Sequence, residues 1–462
     1  MEKFIVTVSV FSLFCVPTLA AAQEQAMSMA EMQKQLEALS SQVQTLSEVV
    51  QQQNQVIKAQ DAAIKQQKTQ PLPSQNTQSV APATSDDVKV SLSPSPKIES
   101  ADGKYSFEAF GRVHMDATLF DDDKSDNASG TDIRRARIGV EGNLGESLEY
   151  KTQIDFAGDD TDIKDMTLTY TGSDVANVTV GHHRSPVGLE NNTSSNQITF
   201  IERAGATNAF APGRKIGASL ATKYENHMFG VGVFNEEAGN SSTGDDEDVS
   251  IDARGSVNLL GLFSDEQEDV FHVGLGYNYL NPTGDIQYSA RPGVGDGPSY
   301  IDTGAISDAD DVSLIVAEFA SVFGPLSVQG EYFYNDVNRQ SADAHFDGYY
   351  AQASYFLTND MRPYDGTSGT FDAVTPHQSV NLNQGHWGAW ELVARYDHTD
   401  LNDSSAGISG GELDLYTLGL NWYVNDNVRL MGNVIQVDSD ENAATAPNDD
   451  PTIFNMRAQW VF

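Results

Sequence analysis

The chain has 462 residues, with 27 Lys plus Arg against 66 Asp plus Glu, a formal net charge of -39 and a single cysteine. That charge excludes a nucleic-acid partner, whose phosphates it would repel, and it concentrates cations around any mouth it surrounds. Beyond the N-terminus no apolar run approaches the ~20 residues of a spanning helix, whereas 17 Tyr, 21 Phe and 38 Gly suit a β-rich chain with aromatic girdles and tight turns.

Residues 1–22 read as a secretory signal: a short Met1-Glu-Lys3 start, an apolar stretch from Phe4 to Val16, and small residues up to Ala22, after which cleavage is expected. Cys15 lies inside this segment, so the exported chain would carry no disulfide and its fold must rest on packing and hydrogen bonds. Over residues 23–66 a heptad runs. Met29, Leu36, Val43, Val50, Ile57 and Ile64 hold one seam position, and Met32, Leu39, Leu46, Gln53 and Gln60 the other. An isolated helix with so narrow a stripe would be marginal, so the pattern predicts an α-helical coiled-coil arm and self-association. Residues 67–103 form a Pro/Ser-rich linker with Pro71, Pro73, Pro82, Pro94 and Pro96, expected to be an extended spacer.

From residue 104 to 462 the period becomes two. Sixteen alternating segments fall near 104–120, 132–143, 146–157, 162–172, 176–183, 214–224, 226–236, 248–259, 268–280, 312–322, 325–336, 344–356, 389–398, 411–423, 427–437 and 452–462. In the last of them Phe454, Met456, Ala458, Trp460 and Phe462 share one face, and Asn455, Arg457 and Gln459 the other. Apolar outside and polar inside is the pattern of a lipid-facing strand, and an even count suits an up-and-down transmembrane barrel of antiparallel strands. Closure follows, because hydrocarbon offers no water to an open edge. Short turns such as 143–146, 172–175, 225–226, 323–324 and 425–427 fit one end. Long acidic stretches at 121–131, 237–247, 281–311, 357–388, 399–410 and 438–451 fit the other.

Parity assigns the faces. Leu326, Val328, Tyr332, Tyr334, Trp390, Leu392, Tyr396, Tyr416, Leu418, Leu420 and Trp422 point outward; Gln329, Glu331, Glu391, Arg395, Asp397, Thr417 and Asn421 point inward. So polar an interior predicts a water-filled lumen. Its most charged region lies on the first strands: Glu108, Arg112, His114 and Asp116, then Arg135, Arg137 and Glu141, with Arg134 at the rim or on a bulge. Lys151, Gln153, Asp155, Asp165, Lys215 and Lys223 add to it, and Arg457 gains a lumen address. Basic groups at a constriction lower the barrier for anions, whereas cross-strand pairing with acids would only stiffen the wall. Residues 184–214 are long for a connection and carry Asn191, Asn192, Ser194, Ser195 and Asn196 before Ile198, Phe200 and Ile201. Folded inward, such a loop would narrow the pore; folded outward, it would be a surface flap.

Phe110-Gly-Arg-Val-His-Met-Asp116, Asp132-Ile-Arg-Arg-Ala-Arg-Ile-Gly-Val-Glu-Gly142, Tyr150-Lys-Thr-Gln-Ile-Asp-Phe156, Ile163-Lys-Asp-Met-Thr-Leu-Thr-Tyr170 and Val180-Gly-His-His-Arg-Ser-Pro-Val-Gly-Leu-Glu190 resemble the phosphate-selective porin O and P family. The resemblance covers roughly 104–462. It implies a trimeric sixteen-stranded outer-membrane porin with a central anion site, to which Arg112, Arg134, Arg135 and Lys151 would belong. The chain departs from that pattern at Asn191-Asn192, where a constriction lysine is implied. Its outer loops also carry Asp121-Asp-Asp123 and Asp245-Asp-Glu-Asp248 in place of arginines.

No catalytic constellation emerges: the nine histidines are scattered, and Ser194 and Ser195 lack the glycines of a nucleophile elbow. Neither cofactor nor metal is expected. The expected partners are outer-membrane lipid, further copies of the chain as a homotrimer, small ions or phosphate, and peptidoglycan below the arm. The competing reading is a sealed barrel acting as a cell-wall tether, adhesin or receptor.

Overall fold

The computed structural model describes residues 88–462 except 93–94, 122, 125–126, 159, 236–246, 264–268, 296 and 441–448. The signal segment and the coiled-coil arm expected over residues 1–66 therefore lie outside the described residues. Sixteen long antiparallel strands are present: β1 Ser106–Asp121, β2 Gly130–Asn143, β3 Leu148–Asp155, β4 Asp162–Tyr170, β5 Ala176–Arg184, β6 Arg214–Thr222, β7 His227–Phe234 and β8 Val249–Asn258. They continue as β9 Val270–Asn281, β10 Ala309–Phe323, β11 Leu326–Arg339, β12 Ala344–Phe356, β13 Ala389–Asp403, β14 Ile408–Asn425, β15 Val428–Ser439 and β16 Thr452–Val461. Each pairs with the next, and β16 pairs back onto β1 from Thr452↔Asp121 to Val461↔Arg112, so the sheet closes.

Phe462 finishes the seam. Gly111 and Phe462 exchange backbone hydrogen bonds of 2.8 and 3.1 Å. A Cβ at Gly111 would collide with the Phe462 ring, so only glycine lets the terminal aromatic lie flat against β1. Below Phe462 the edge of β1 is not left open. Val88–Ser91 pairs with Lys97–Ser100, and Lys97 to Glu99 pair in turn with Glu108 to Ser106. Part of the segment expected to be an unstructured linker is thus sheet. The alternation Val88-Lys-Val90 and Lys97-Ile-Glu99 carries it, and Pro96 stands just before the second strand rather than within it.

The outward face is as parity predicts. Trp390 and Trp422 stack at 5.0 Å near one end, and Tyr349, Tyr396 and Tyr416 cluster at 5.9 and 5.0 Å nearer the other. Between these girdles Leu418 is 67% exposed, which only lipid makes tolerable. Leu418→Arg is therefore expected to cost about 2–4 kcal/mol, the range for a basic residue near the bilayer midplane, measured by equilibrium urea unfolding in lipid vesicles. The same change at Gln436, outward and paired with Tyr416 at the level of the tyrosine girdle, should cost less.

Two expectations need correction. Residues 357–388 connect β12 to β13, and after an even number of strands the chain is back at the short-turn end, so this segment does not belong with the long loops opposite. Nor is the lumen uniformly water-filled. Toward the long-loop end Val312, Leu314, Phe333, Val337, Leu413, Leu415, Ile435 and Val437 are apolar and inward, and they bury against Ala290, Val294, Tyr300, Ile301 and Ile306 of the 282–308 connection. That connection folds into the barrel, with Ser289–Ala290 and Ile301–Asp302 paired at its neck.

Candidate functional site

The 185–213 connection between β5 and β6 also folds inside. Gly188, at φ 84, makes the turn that aims it inward, a conformation that costs any other residue. Two short helices follow, α1 Leu189–Asn192 and α2 Gly205–Phe210. Wall carboxylates satisfy the free N–H groups that open each one. Glu331 on β11 accepts from Leu189 N at 2.6 Å and Glu190 N at 2.8 Å, and Asp397 on β13 accepts from Gly205 N at 2.7 Å. Glu190 in turn accepts from Ala204 N at 3.0 Å and the Thr207 hydroxyl at 2.7 Å, tying α1 to α2.

Between the helices the loop hands its carbonyls to wall arginines. Arg429 donates to Ile198 O at 3.0 Å, Arg395 to Glu202 O at 3.0 Å, and Arg457 to Ile201 O. Arg112 reaches Ser194 and Ser195 hydroxyls at 3.2 and 2.9 Å, and His114 lies 3.0 Å from Asn196 Oδ1. Ile198, Phe200 and Ile201 are fully buried, with Arg395 lying 4.6 Å over the Phe200 ring. The loop is a fixed partition, not a surface flap.

Its tip brings together residues that the sequence had only grouped. Glu202 receives Arg135 at 3.0 and 3.1 Å, Arg134 at 3.2 and 3.4 Å, and Arg457 at 2.7 Å. Arg457 also holds Asp116 through two bonds of 2.7 Å. Arg134 sits on a bulge, since the register steps from His114↔Arg135 to Met115↔Ile133, which is why both adjacent arginines reach one carboxylate.

Beside this clamp lies a cavity of about 260 Å³ between the loop and β2–β6, whose lining includes Arg137, Lys164, Arg184, Arg203 and Arg214. Three of these basic groups have carboxylate partners: Arg137 on Asp155 at 2.7 Å, Arg214 on Asp165 at 2.8 Å, and Lys164 on Asp162. Two bond only neutral oxygens among the described residues. Arg184 donates to Asn191 Oδ1 at 3.3 Å, and Arg203 to the carbonyls of Glu190, Asn191 and Thr193 at 3.0, 3.4 and 2.8 Å. Two full guanidinium charges therefore face a small polar space, the condition under which an anion is favoured.

Of the residues singled out from the sequence, Arg112, Arg134, Arg135 and Arg457 gather on the loop, Arg137 lines the cavity, Asp165 pairs with the lining Arg214, and Arg395 anchors the loop. Lys151 stands apart, paired with Glu141 at 2.7 Å in a separate hollow nearer the short turns. Lys215 lies opposite His183 and outside the cavity lining. Lys223 ties a turn, donating to Thr171 O and Ser173 O at 2.6 and 2.8 Å, and does not face the passage. Sequence reasoning missed Arg184, Glu202, Arg203 and Arg214; the only signal was that they bound or lie within the long 184–214 connection.

A second inward segment comes from the opposite end. Residues 357–388 rise along β8–β12, where Arg254 donates to Ser368 O at 3.0 Å and Gly369 O at 2.7 Å while holding Glu318 at 2.8 Å. Tyr364 Oη meets His272 Nδ1 at 2.6 Å, Arg362 donates to Gln329 at 2.8 Å, and Phe371 packs with Leu189, Val270, Ala320 and Val322. Gln197 donates to Asp372 at 3.1 Å, so the two inward segments touch. Together they fill the β8–β15 side and leave the arginine-lined side as the candidate passage. His398, Glu412 and Asp414 meet on the outward wall, away from that passage.

A sequence profile described as phosphate-selective porin O and P matches residues 107–462. Porin O of Pseudomonas aeruginosa is 27% identical over 423 residues, covering 81% of this chain and 93% of that protein. An uncharacterized protein of Caulobacter vibrioides is 30% identical over 348 residues, 72% of this chain and 69% of its own length. Among solved structures, in-vitro folded OmpT, an outer membrane protein of Vibrio cholerae, superposes with a TM-score of 0.50 at 11% identity. That match covers 78% of this chain and 98% of that one, a likeness of fold alone.

Proposed function

This chain belongs to the phosphate-selective porin O and P family, a channel of the outer membrane and not an enzyme, and on that premise we propose that its preferred solutes are small anions, phosphate among them, drawn through the cavity beside the 185–213 loop. The observation that carries the proposal is the pair Arg184 and Arg203, whose charges line that cavity without a carboxylate partner among the described residues. Lys151 and Lys223 have no part in this site; Arg137 and Arg214 supply its wall.

The test is a planar-bilayer recording across a KCl gradient. A reversal potential displaced toward chloride is expected, together with current reduction by added phosphate. Arg184→Ala and Arg203→Ala should each diminish both effects, and variants that conduct with the wild-type reversal potential would overturn the assignment. Arg203 variants also loosen the loop, so Arg203→Lys, which keeps the charge, should retain more of the preference than Arg203→Ala.

The family resemblance supports a homotrimer. So does an apolar hollow of about 1040 Å³ on the outward face around the closing seam, where Met115, Ile133, Phe156, Leu430 and Met456 surround the small Ala117, Ala136 and Ala458. On this reading the hollow is filled by a neighbouring barrel. Export would use residues 1–22, and the arm over 23–66 would add its own self-association on the periplasmic side, within reach of peptidoglycan.

A further inference from the structure

Arg134 and Arg135, adjacent arginines that the sequence marks, already have an anion supplied by the protein itself. Arg135 and Arg134 each place two nitrogens on the two oxygens of Glu202, Nη1 and Nη2 at 3.0 and 3.1 Å from the first, Nε and Nη2 at 3.2 and 3.4 Å from the second. Arg457 adds a fifth bond at 2.7 Å to Oε1. Paired parallel bonds from a planar fork to two oxygens are the geometry of guanidinium–carboxylate recognition. The Glu202 side chain is 6% exposed, those of Arg135 and Arg457 are 4% and 0%, and Arg134 at 32% forms the open edge of the cluster. Its backbone is held as well, by Arg395 from outside the cluster on its own carbonyl and by Arg457 on that of Ile201, so the tip that presents the carboxylate has an anchor besides the carboxylate itself.

We infer that the Arg134–Arg135–Arg457 cluster is a second anion subsite of carboxylate-recognising geometry, and that Glu202 is a tethered carboxylate that occupies it and thereby sets the channel's specificity. The charges bear this out. Three guanidiniums against Glu202 and Asp116 leave one net positive charge at the clamp, and removing the Glu202 carboxylate leaves two. With Glu202 in place a passing anion finds the forks of the clamp already filled. With it absent, a small monocarboxylate such as acetate has a site with the fork geometry already built. This goes beyond the cavity assignment and does not depend on it, because the two sites share no arginine.

Glu202→Ala and Glu202→Gln separate the possibilities. Both should move the reversal potential in a KCl gradient further toward chloride than wild type. In detergent, acetate should raise the unfolding midpoint of Glu202→Ala saturably, and more than chloride at equal ionic strength, while leaving wild type and Glu202→Gln little changed, since the amide fills the space. If Glu202→Ala folds only when acetate is present during refolding, the subsite is supported in the same way. If it folds under neither condition, the reversal potential of Glu202→Gln decides. A wild-type reversal potential in the folded variants, or an acetate effect no larger than that of chloride, would overturn the inference. Arg184→Ala read in the same recordings reports on the cavity alone, so failure of either site is recognisable separately.

Discussion

Replacing residues 188–212 by a short Gly-Ser turn is expected to raise single-channel conductance several-fold, with the barrel still folded. The wall does not need the loop for its sheet, since β5 and β6 pair through nine residues from Ala176↔Thr222 to Arg184↔Arg214. What the wall loses is a set of partners. Glu331 and Asp397 lose backbone donors, Arg395, Arg429 and Arg457 lose carbonyl acceptors, and Arg112 loses two hydroxyls. Stranding those groups in a dry interior would cost about 1–3 kcal/mol each, but excision admits water to the same space and so removes most of that cost. The excised loop takes Glu190, Glu202 and Arg203 with it, so the lumen gains one net positive charge as it widens. The recording should therefore show larger steps that keep an anion preference but lose phosphate block, because one side of the arginine cavity has gone. Steps of wild-type size would mean that the narrowest point lies elsewhere.

Arg254→Ala is expected to destabilise the barrel by about 3–5 kcal/mol, the usual result of removing one partner from a buried ion pair. Arg254 and Glu318 are both fully buried, and His272, 3.1 Å from that carboxylate, is its other partner among the described residues. Arg254 also carries the two carbonyl bonds that fasten residues 368–369 to β8. The variant should thus show two effects at once, a lower urea midpoint and noisier, larger currents as the 357–388 segment comes loose. Arg254→Met with Glu318→Gln removes both charges and should recover much of the stability while leaving the current phenotype, since neither replacement anchors the segment. Equal stability of the single and double variants would show that the stranded carboxylate is not the source of the loss.

The strands were legible because a lipid-facing wall imposes a period of two that survives sequence variation. Every predicted segment corresponds to a strand, and the inward assignment of Gln329, Glu331, Glu391, Arg395, Asp397, Thr417 and Asn421 holds. Even the displacement of Arg134 from regular parity could be read, since Arg134-Arg-Ala-Arg137 cannot alternate throughout. The site was less legible for a physical reason. Its central contact joins Glu202 to Arg457 across 255 positions, and no local pattern announces which acid will meet which base. Composition also misled in one place. The Asp and Gly of 357–388 look like an exposed outer loop, while its few anchoring side chains, Arg362, Tyr364 and Phe371, are too sparse to signal burial; counting strands places the segment where composition does not. In the same way proline content hid the pairing of Val88–Ser91 with Lys97–Ser100.

Arg457 has a consequence for how the channel is made. It lies on the last strand yet holds Asp116 on the first, 341 positions away, and the same guanidinium locks Ile201 and Glu202. Contacts of such long range are the last to form, because the chain must give up loop entropy before they return any energy. The passage is therefore completed by the same event that shuts the cylinder. An assembly intermediate with β1 and β16 still apart has neither a narrow opening nor a sorted set of charges, so ion discrimination should appear only when the barrel closes. Time-resolved refolding into vesicles should show sheet content rising ahead of any ability to distinguish chloride from potassium.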